Sequence, residues 1–166
     1  MYKIKSSTKF ALFKRFLTHL RRKMGKNIKA IDRVKKNIDR LAFINFNDNS
    51  CLYTLSFNDD VKDIDNANKE FSNFIKRAKY KLGDFKYIAT LQFKRNGVIK
   101  YFMLAKIGFS HRNVILKAWG NGWVWADVIK HETTLKLAIL DMQKGIADER
   151  LIGKKAYFTS KSLKRV

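Results

Sequence analysis

A single cysteine, Cys51, among 166 residues excludes an intramolecular disulfide and any cysteine-rich zinc site. At the head of an apolar run, Cys51 is expected to be a small buried hydrophobe. No stretch of eighteen apolar residues occurs, and no basic segment followed by a short apolar one opens the chain. Neither a spanning helix nor a recognisable export signal is therefore expected, and the protein reads as cytoplasmic. Proline is absent, and no internal repeat is found. Acidic residues are scarce, 14 Asp plus Glu against 36 Lys plus Arg, a formal charge of +22. Such a field is self-repulsive unless a polyanion screens it, so nucleic acid is the leading partner. Basic amphipathic helices also bind anionic lipid, but that leaves the rest of the chain unexplained, and no membrane partner is expected. The abundance of Lys, Asn and Ile would also suit an AT-rich genome.

The charge is unevenly placed. Fourteen Lys or Arg between Lys3 and Arg40 face only Asp32 and Asp39, so residues 1–45 read as a basic helical arm and residues 46–166 as the folded body. Phe10, Phe13, Leu17, Leu20 and Met24 recur every three or four residues, which predicts a helix ending near Gly25, with Lys14, Arg15, Arg21, Arg22 and Lys23 on its other side. A second helix is predicted from about Ile28 to Phe43, with Ile31, Val34, Ile38 and Leu41 inward and Lys35, Lys36 and Arg40 outward. Two solvated amphipathic helices would look the same as a phosphate-binding arm. Turn formers, Asn45 to Ser50, then separate arm from body.

In the body, "CLYTLSF" alternates as a strand, and Ala67, Phe71, Phe74, Ile75 and Ala78 mark a helix from about Asp65 to Leu82. Asn96-Gly97 supplies the two positive-φ residues of a type I′ turn, so Tyr87 to Lys94 and Val98 to Lys106 are predicted to pair as a hairpin. A short helix near Arg112 to Ala118, a strand within Gly122 to Ile129 and a helix from about Thr133 to Lys144 follow. The order gives an α+β domain with a central antiparallel sheet and helices packed on it.

These segments carry a resemblance. "RVKKNIDRL", "NDNSCLYTLSFNDDV", "ANKEFSNFIKR", "FKYIATLQFKRNGVIKYFML", "WGNGWV" and "DERLIGKKAYFTSKSLK" resemble, in order and spacing from about Arg33 onward, the nuclease domain of HUH-type rolling-circle replication initiators of small plasmids and phages. The resemblance implies a ferredoxin-like or RRM-like sheet whose central strand bears two histidines for a divalent metal, with a nucleophilic tyrosine on a following helix. The chain departs from that pattern at every chemical position. Lys100 and Phe102 stand where the resemblance puts the histidines, and Gln92 where a glutamate is usual. Leu137, Leu140 and Asp141 stand where it puts tyrosine, lysine and often a second tyrosine. No catalytic residue, metal or cofactor is therefore expected. His19, His111 and His131 lack metal-ligand spacing, and Tyr101 and Tyr157 are better read as packing residues.

The expected contacts are cations and aromatics: Arg15, Arg21, Arg22, Lys23, Lys35, Lys36 and Arg40 on the arm, Lys94, Arg95, Lys100 and Phe102 on the hairpin, and Trp119 beyond it. Trp123 and Trp125, two residues apart on a strand, are more often core or half-core than surface. The C-terminal segment adds Arg150, Lys154, Lys155, Lys161, Lys164 and Arg165 as a flexible backbone contact. At position 100 a permanent cation in a former cleavage groove and a lysine snorkelling from an exposed strand are both open. Three functions fit. The first is an inactive initiator relative that binds nucleic acid, with single-stranded or origin DNA favoured and RNA possible, and regulates a mobile element by occupancy. The second is an anti-defence inhibitor, such as an anti-CRISPR, of a host nuclease or nucleoprotein complex. The third is an active nicking enzyme with a displaced site.

Overall fold

A computed structural model describes residues 6–165, with side chains described from Lys14 onward except Lys26. The proposed inward placement of Phe10 and Phe13 lies outside the described side chains. Where two helices were predicted there is one, α1, Ser6–Asn45. A glycine inside a helix costs about 1 kcal/mol relative to alanine, too little to stop a helix flanked by good helix formers with no proline nearby. The chain divides into two compact units between Lys36 and Asn37, so the last turns of α1 belong with the body. Among the described residues no helix is long and apolar enough to cross a membrane.

The second unit is an α+β fold around a five-stranded antiparallel sheet: β1 (Ser50–Phe57), α2 (Ile64–Leu82), β2 (Tyr87–Phe93), β3 (Ile99–Ala105), α3 (Arg112–Trp119), β4 (Gly122–Ile129), α4 (Glu132–Gln143) and β5 (Tyr157–Thr159), with strand order β4-β1-β3-β2-β5. The β-α-β-β-α-β run with order 4-1-3-2 is the ferredoxin-like arrangement. Element positions agree with the periodicity to within a residue or two. The hairpin turn does not. Gly97 has φ +83°, but Asn49 is the only non-glycine with positive φ among the described residues. The Gly97 amide donates to the Lys94 carbonyl and the Lys94 amide to the Val98 carbonyl. That is a type I turn followed by a left-handed glycine, a three-residue loop in which Asn96 keeps negative φ and its side chain accepts from the Val98 amide.

Strand alternation sends Cys51, Tyr53, Leu55 and Phe57 of β1, Ala89 and Leu91 of β2, and Ile99, Tyr101 and Met103 of β3 into one core with α2 and α3. Cys51 is buried there, as expected. Phe71 of α2 stacks on Tyr101 with ring centroids 4.5 Å apart, and Trp119 of α3 closes on Phe57 and Phe74. Asp63 caps α2 by accepting from the Asn66 amide at 2.7 Å.

The other sheet face is covered only in part. Leu135, Ala138, Ile139 and Met142 of α4 are buried, while Ile38, Leu41 and Ala42 at the end of α1 are buried in the same unit. Asn45 ties that end down: its amide donates to the Lys164 carbonyl, and its oxygen accepts from the Lys164 amide and from Lys86 Nζ. The run of turn formers therefore begins with a buried anchor, although Asp48 and Asn49 are exposed.

Gly145, just past α4, is pressed against Gln92. A Cβ there would lie 2.5 Å from Gln92 Cγ and 3.1 Å from its Cβ, too near the root of that side chain to be relieved by a rotamer change. Gly145→Ala is expected to lower unfolding stability by about 1–3 kcal/mol. In a Gln92→Ala background the same change should cost less than half as much, measured by urea denaturation of the four proteins of the cycle. Equal costs in both backgrounds would refute the clash.

Candidate nucleic-acid interface on the open sheet face

The residues of the partly open face line up across the strands. One row runs Gln92, Lys100, Ser56, Trp123 through β2, β3, β1 and β4, and the next runs Tyr157, Thr90, Phe102, Thr54, Trp125 from β5 to β4. At the β5 and β2 end this surface is closed: Thr90 and Gln92 are buried. At the β1 and β4 end it is open. Trp123 is 76% exposed and Trp125 62%, and Phe102 and Lys100 are half-buried between the two ends.

The sequence reading of the tryptophans is therefore reversed. Trp119 is fully buried against Phe57 and Phe74, and its Nε1 donates to the Ser56 carbonyl at 3.0 Å, so it is unable to reach a base. Trp123 and Trp125, expected in or near the core, are the exposed rings. Their strand alternates Trp123, Val124, Trp125, Ala126, and an apolar residue on both sides leaves the facing undecided by hydropathy. The register with β1 sets the facing: Val124 and Ala126 lie opposite Leu55 and Tyr53 and so join them on the core face. Trp125 Nε1 donates to Asp127 Oδ1 at 3.0 Å, which holds that indole in place.

Lys100 Nζ lies 4.7 Å from the centre of the Phe102 ring. Burial, and then repulsion from Lys94 and Lys144, hold the ammonium below its ordinary pKa, with Asp141 opposing. Both Lys94 and Lys144 thus bear on the same spot. Gln92 Nε2 donates to the Asp141 carbonyl, and Asp141 Oδ1 receives Lys144 Nζ. Gln92 is a buried structural tie. Leu137 and Asp141 share a groove between α4 and β4 with Leu52, Asp127, Ile129 and His131, whereas Leu140, also exposed, points away from it. Among the described residues no three His, Cys, Asp or Glu side chains cluster closely enough to share a metal ion.

The two phenols are differently placed. Tyr101 points into the opposite core, fully buried, its hydroxyl donating to Asn68 Oδ1 at 2.8 Å, and burial raises its pKa. Tyr157 is half-buried and accepts from Asn37 Nδ2 at 2.8 Å; burial raises its pKa against the pull of Arg165, Asn37 and Arg40.

The remaining cations fall into separate groups. Arg15, Arg21, Arg22 and Lys23 are exposed on α1 within the first unit, Lys36 is exposed and Lys35 half-buried. Arg95 is exposed at the hairpin tip beside the half-buried Lys94. The C-terminal segment is folded, correcting the expectation of a flexible contact: β5 pairs with β2, and Leu151, Phe158, Ser160 and Leu163 are buried. Four of its six cations are engaged within the chain. Arg150 pairs with Asp148 and lies over the Phe93 ring, and Lys154 pairs with Asp65. Lys155 lies over Phe158, and Arg165 donates to Thr159. Lys161 and Lys164 keep exposed side chains, and Arg40 donates to Asn37.

No family model, curated protein or solved structure matches the chain.

Lys100 links this geometry to stability. Its folded pKa lies below the ordinary 10.5, so between the two values the folded protein holds fewer protons than the unfolded chain, and stability rises with pH across that window. At neutral pH the ammonium is held where burial and its neighbours disfavour it. Lys100→Met is therefore expected to leave the urea midpoint at pH 7 equal to or above that of the parent, with the difference shrinking as pH climbs through the window. A clear loss of stability at pH 7 would mean that Lys100 is a structural cation.

Proposed function

We propose that the protein binds single-stranded nucleic acid across the open half of its sheet and acts by occupancy, without cutting. The observation that carries this reading is the combination on one face of Phe102, Trp125 and Trp123 with Lys100. The two exposed indoles and the half-buried Phe102 offer stacking surfaces to successive bases, and Lys100 beside Phe102 meets the backbone. Stacking is tolerant of base identity, so the expected preference is for unpaired strands more than for a sequence. Arg95 at the hairpin tip adds a phosphate contact that positions the strand without reading it, and the exposed cations of α1, in the first unit, offer a phosphate-binding stripe of their own. A phosphate arriving beside Lys100 would offset the repulsion it feels from Lys94 and Lys144.

The resemblance to rolling-circle initiators extends the proposal to its consequence. A protein that covers single-stranded or origin DNA without a histidine pair at positions 100 and 102, or a tyrosine at 137 or 141, blocks or regulates replication or transcription of a mobile element.

Affinity for a fluorescent oligothymidylate should fall steeply with salt, with a log–log slope of about −0.7 per neutralised phosphate. The pair Trp123→Ala and Trp125→Ala should weaken binding by roughly tenfold or more at fixed salt, since base stacking contributes about 1–3 kcal/mol per ring. Both side chains are exposed, so the fold should survive, as circular dichroism would report. A flat salt response, or full affinity in the double variant, would refute the interface.

Incubated with Mg²⁺ or Mn²⁺, the protein should neither nick supercoiled plasmid nor form a covalent adduct with single-stranded DNA. An adduct mapped by mass spectrometry to Tyr157 would instead establish a nicking enzyme with a relocated nucleophile.

A further inference from the structure

The apolar residues of α1 follow a stricter rule than amphipathicity. Leu17, Leu20, Met24, Ile31, Val34, Ile38 and Leu41, together with the polar Asn27, are separated alternately by three and four residues. An alternating three-four spacing has a mean period of 3.5, the period of a two-stranded coiled-coil seam. The seam has two fates. Ile38 and Leu41 are buried within the second unit, whereas Leu17, Leu20 and Met24 are exposed, Asn27, Ile31 and Val34 are half-buried, and the flanking Phe16 and Ile28 are exposed as well.

We infer that the stretch from Leu17 to Val34 pairs in parallel with the same stretch of a second copy of this chain. The occupant is specified by the seam itself. Asn27 is the one polar residue in it, and in a parallel, in-register pair its amide meets the amide of the other copy. A shifted register would set it against an apolar side chain instead. The flanking positions agree. With Leu17, Met24 and Ile31 as the a positions of the seven-residue repeat and Leu20, Asn27 and Val34 as its d positions, in a parallel pair the residue before each a faces the residue after the next d of the other helix, which matches Phe16 with Arg21, Lys23 with Ile28 and Ala30 with Lys35. Each match sets one cation against one apolar residue, so the cation's methylene stem covers the seam and no two cations are opposed. The cations at heptad spacing, Arg15, Arg22, Lys29 and Lys36, lie on the side away from the seam.

The helix remains strongly basic, and two copies repel each other over distances that salt screens. Association of the nucleic-acid-free protein should therefore strengthen with salt, whereas nucleic-acid binding weakens with it. The two readings consequently fail independently.

Sedimentation equilibrium on the free protein should give a monomer–dimer equilibrium whose association constant rises severalfold between about 0.1 and 1 M NaCl, as the screening length falls from ~10 to ~3 Å. Leu17→Cys should form a disulfide with its own copy under mild oxidation, because only a parallel pair brings the two Leu17 positions together. The parent, whose single cysteine is buried, should not cross-link. Leu20→Glu with Met24→Glu should abolish association by at least tenfold while leaving the circular dichroism of the body unchanged, as both side chains are exposed. A monomer at every salt concentration, a dimer that persists in the double-glutamate variant, or a dimer in which Leu17→Cys fails to cross-link would overturn the inference.

Discussion

The stack of Phe71 on Tyr101, centroids 4.5 Å apart and both rings buried, fixes which way β3 faces. Residues of a strand alternate between faces, so committing Tyr101 to the α2 and α3 side commits Lys100 and Phe102 to the other. Because β3 is paired on both sides, the same commitment is transmitted in register. It sends Gln92 and Thr90 to that face on β2, Ser56 and Thr54 on β1, and from β1 to Trp123 and Trp125 on β4. One aromatic contact thus decides the composition of a surface four strands wide.

That surface is polarised by what lies over it. The buried side chains of α4 and the tie from Gln92 to the Asp141 carbonyl close the β2 side, and Gly145 lets the chain leave α4 close against Gln92. Nothing of comparable size covers Trp123 and Trp125 among the described residues, and they stand out by more than half their area. The half-covered sheet leaves its open surface over β1, β3 and β4, where the rings are.

Much of the architecture was legible in the sequence because it rests on local signals. The alternation in "CLYTLSF", the spacing of Ala67, Phe71, Phe74 and Ala78, and the turn at Gly97 each identify an element without tertiary information. The failures share a cause: they turn on what a segment packs against. Gly25 reads as a stop only if nothing else sustains the helix. Trp119 and Trp125 are both aromatic residues among apolar neighbours, and only the packing of α3 on Phe57 and Phe74 and the register of β4 on β1 tell the enclosed ring from the exposed one. The C-terminal cations look like a solvated tail until β5 finds its place on β2, three strand-favouring residues too short a run to show an alternation.

The cation stripe of α1 has an electrostatic consequence. Arg15, Arg22, Lys29 and Lys36 recur every seven residues, and at 1.5 Å per residue neighbours are about 10 Å apart along the axis. That is close to the screening length of roughly 10 Å at about 0.1 M salt. At that spacing about a third of the direct interaction survives screening, and Arg21, Lys23, Arg33 and Lys35 stand between these four. The charges therefore add into one continuous positive band along the helix, which added salt weakens as a whole.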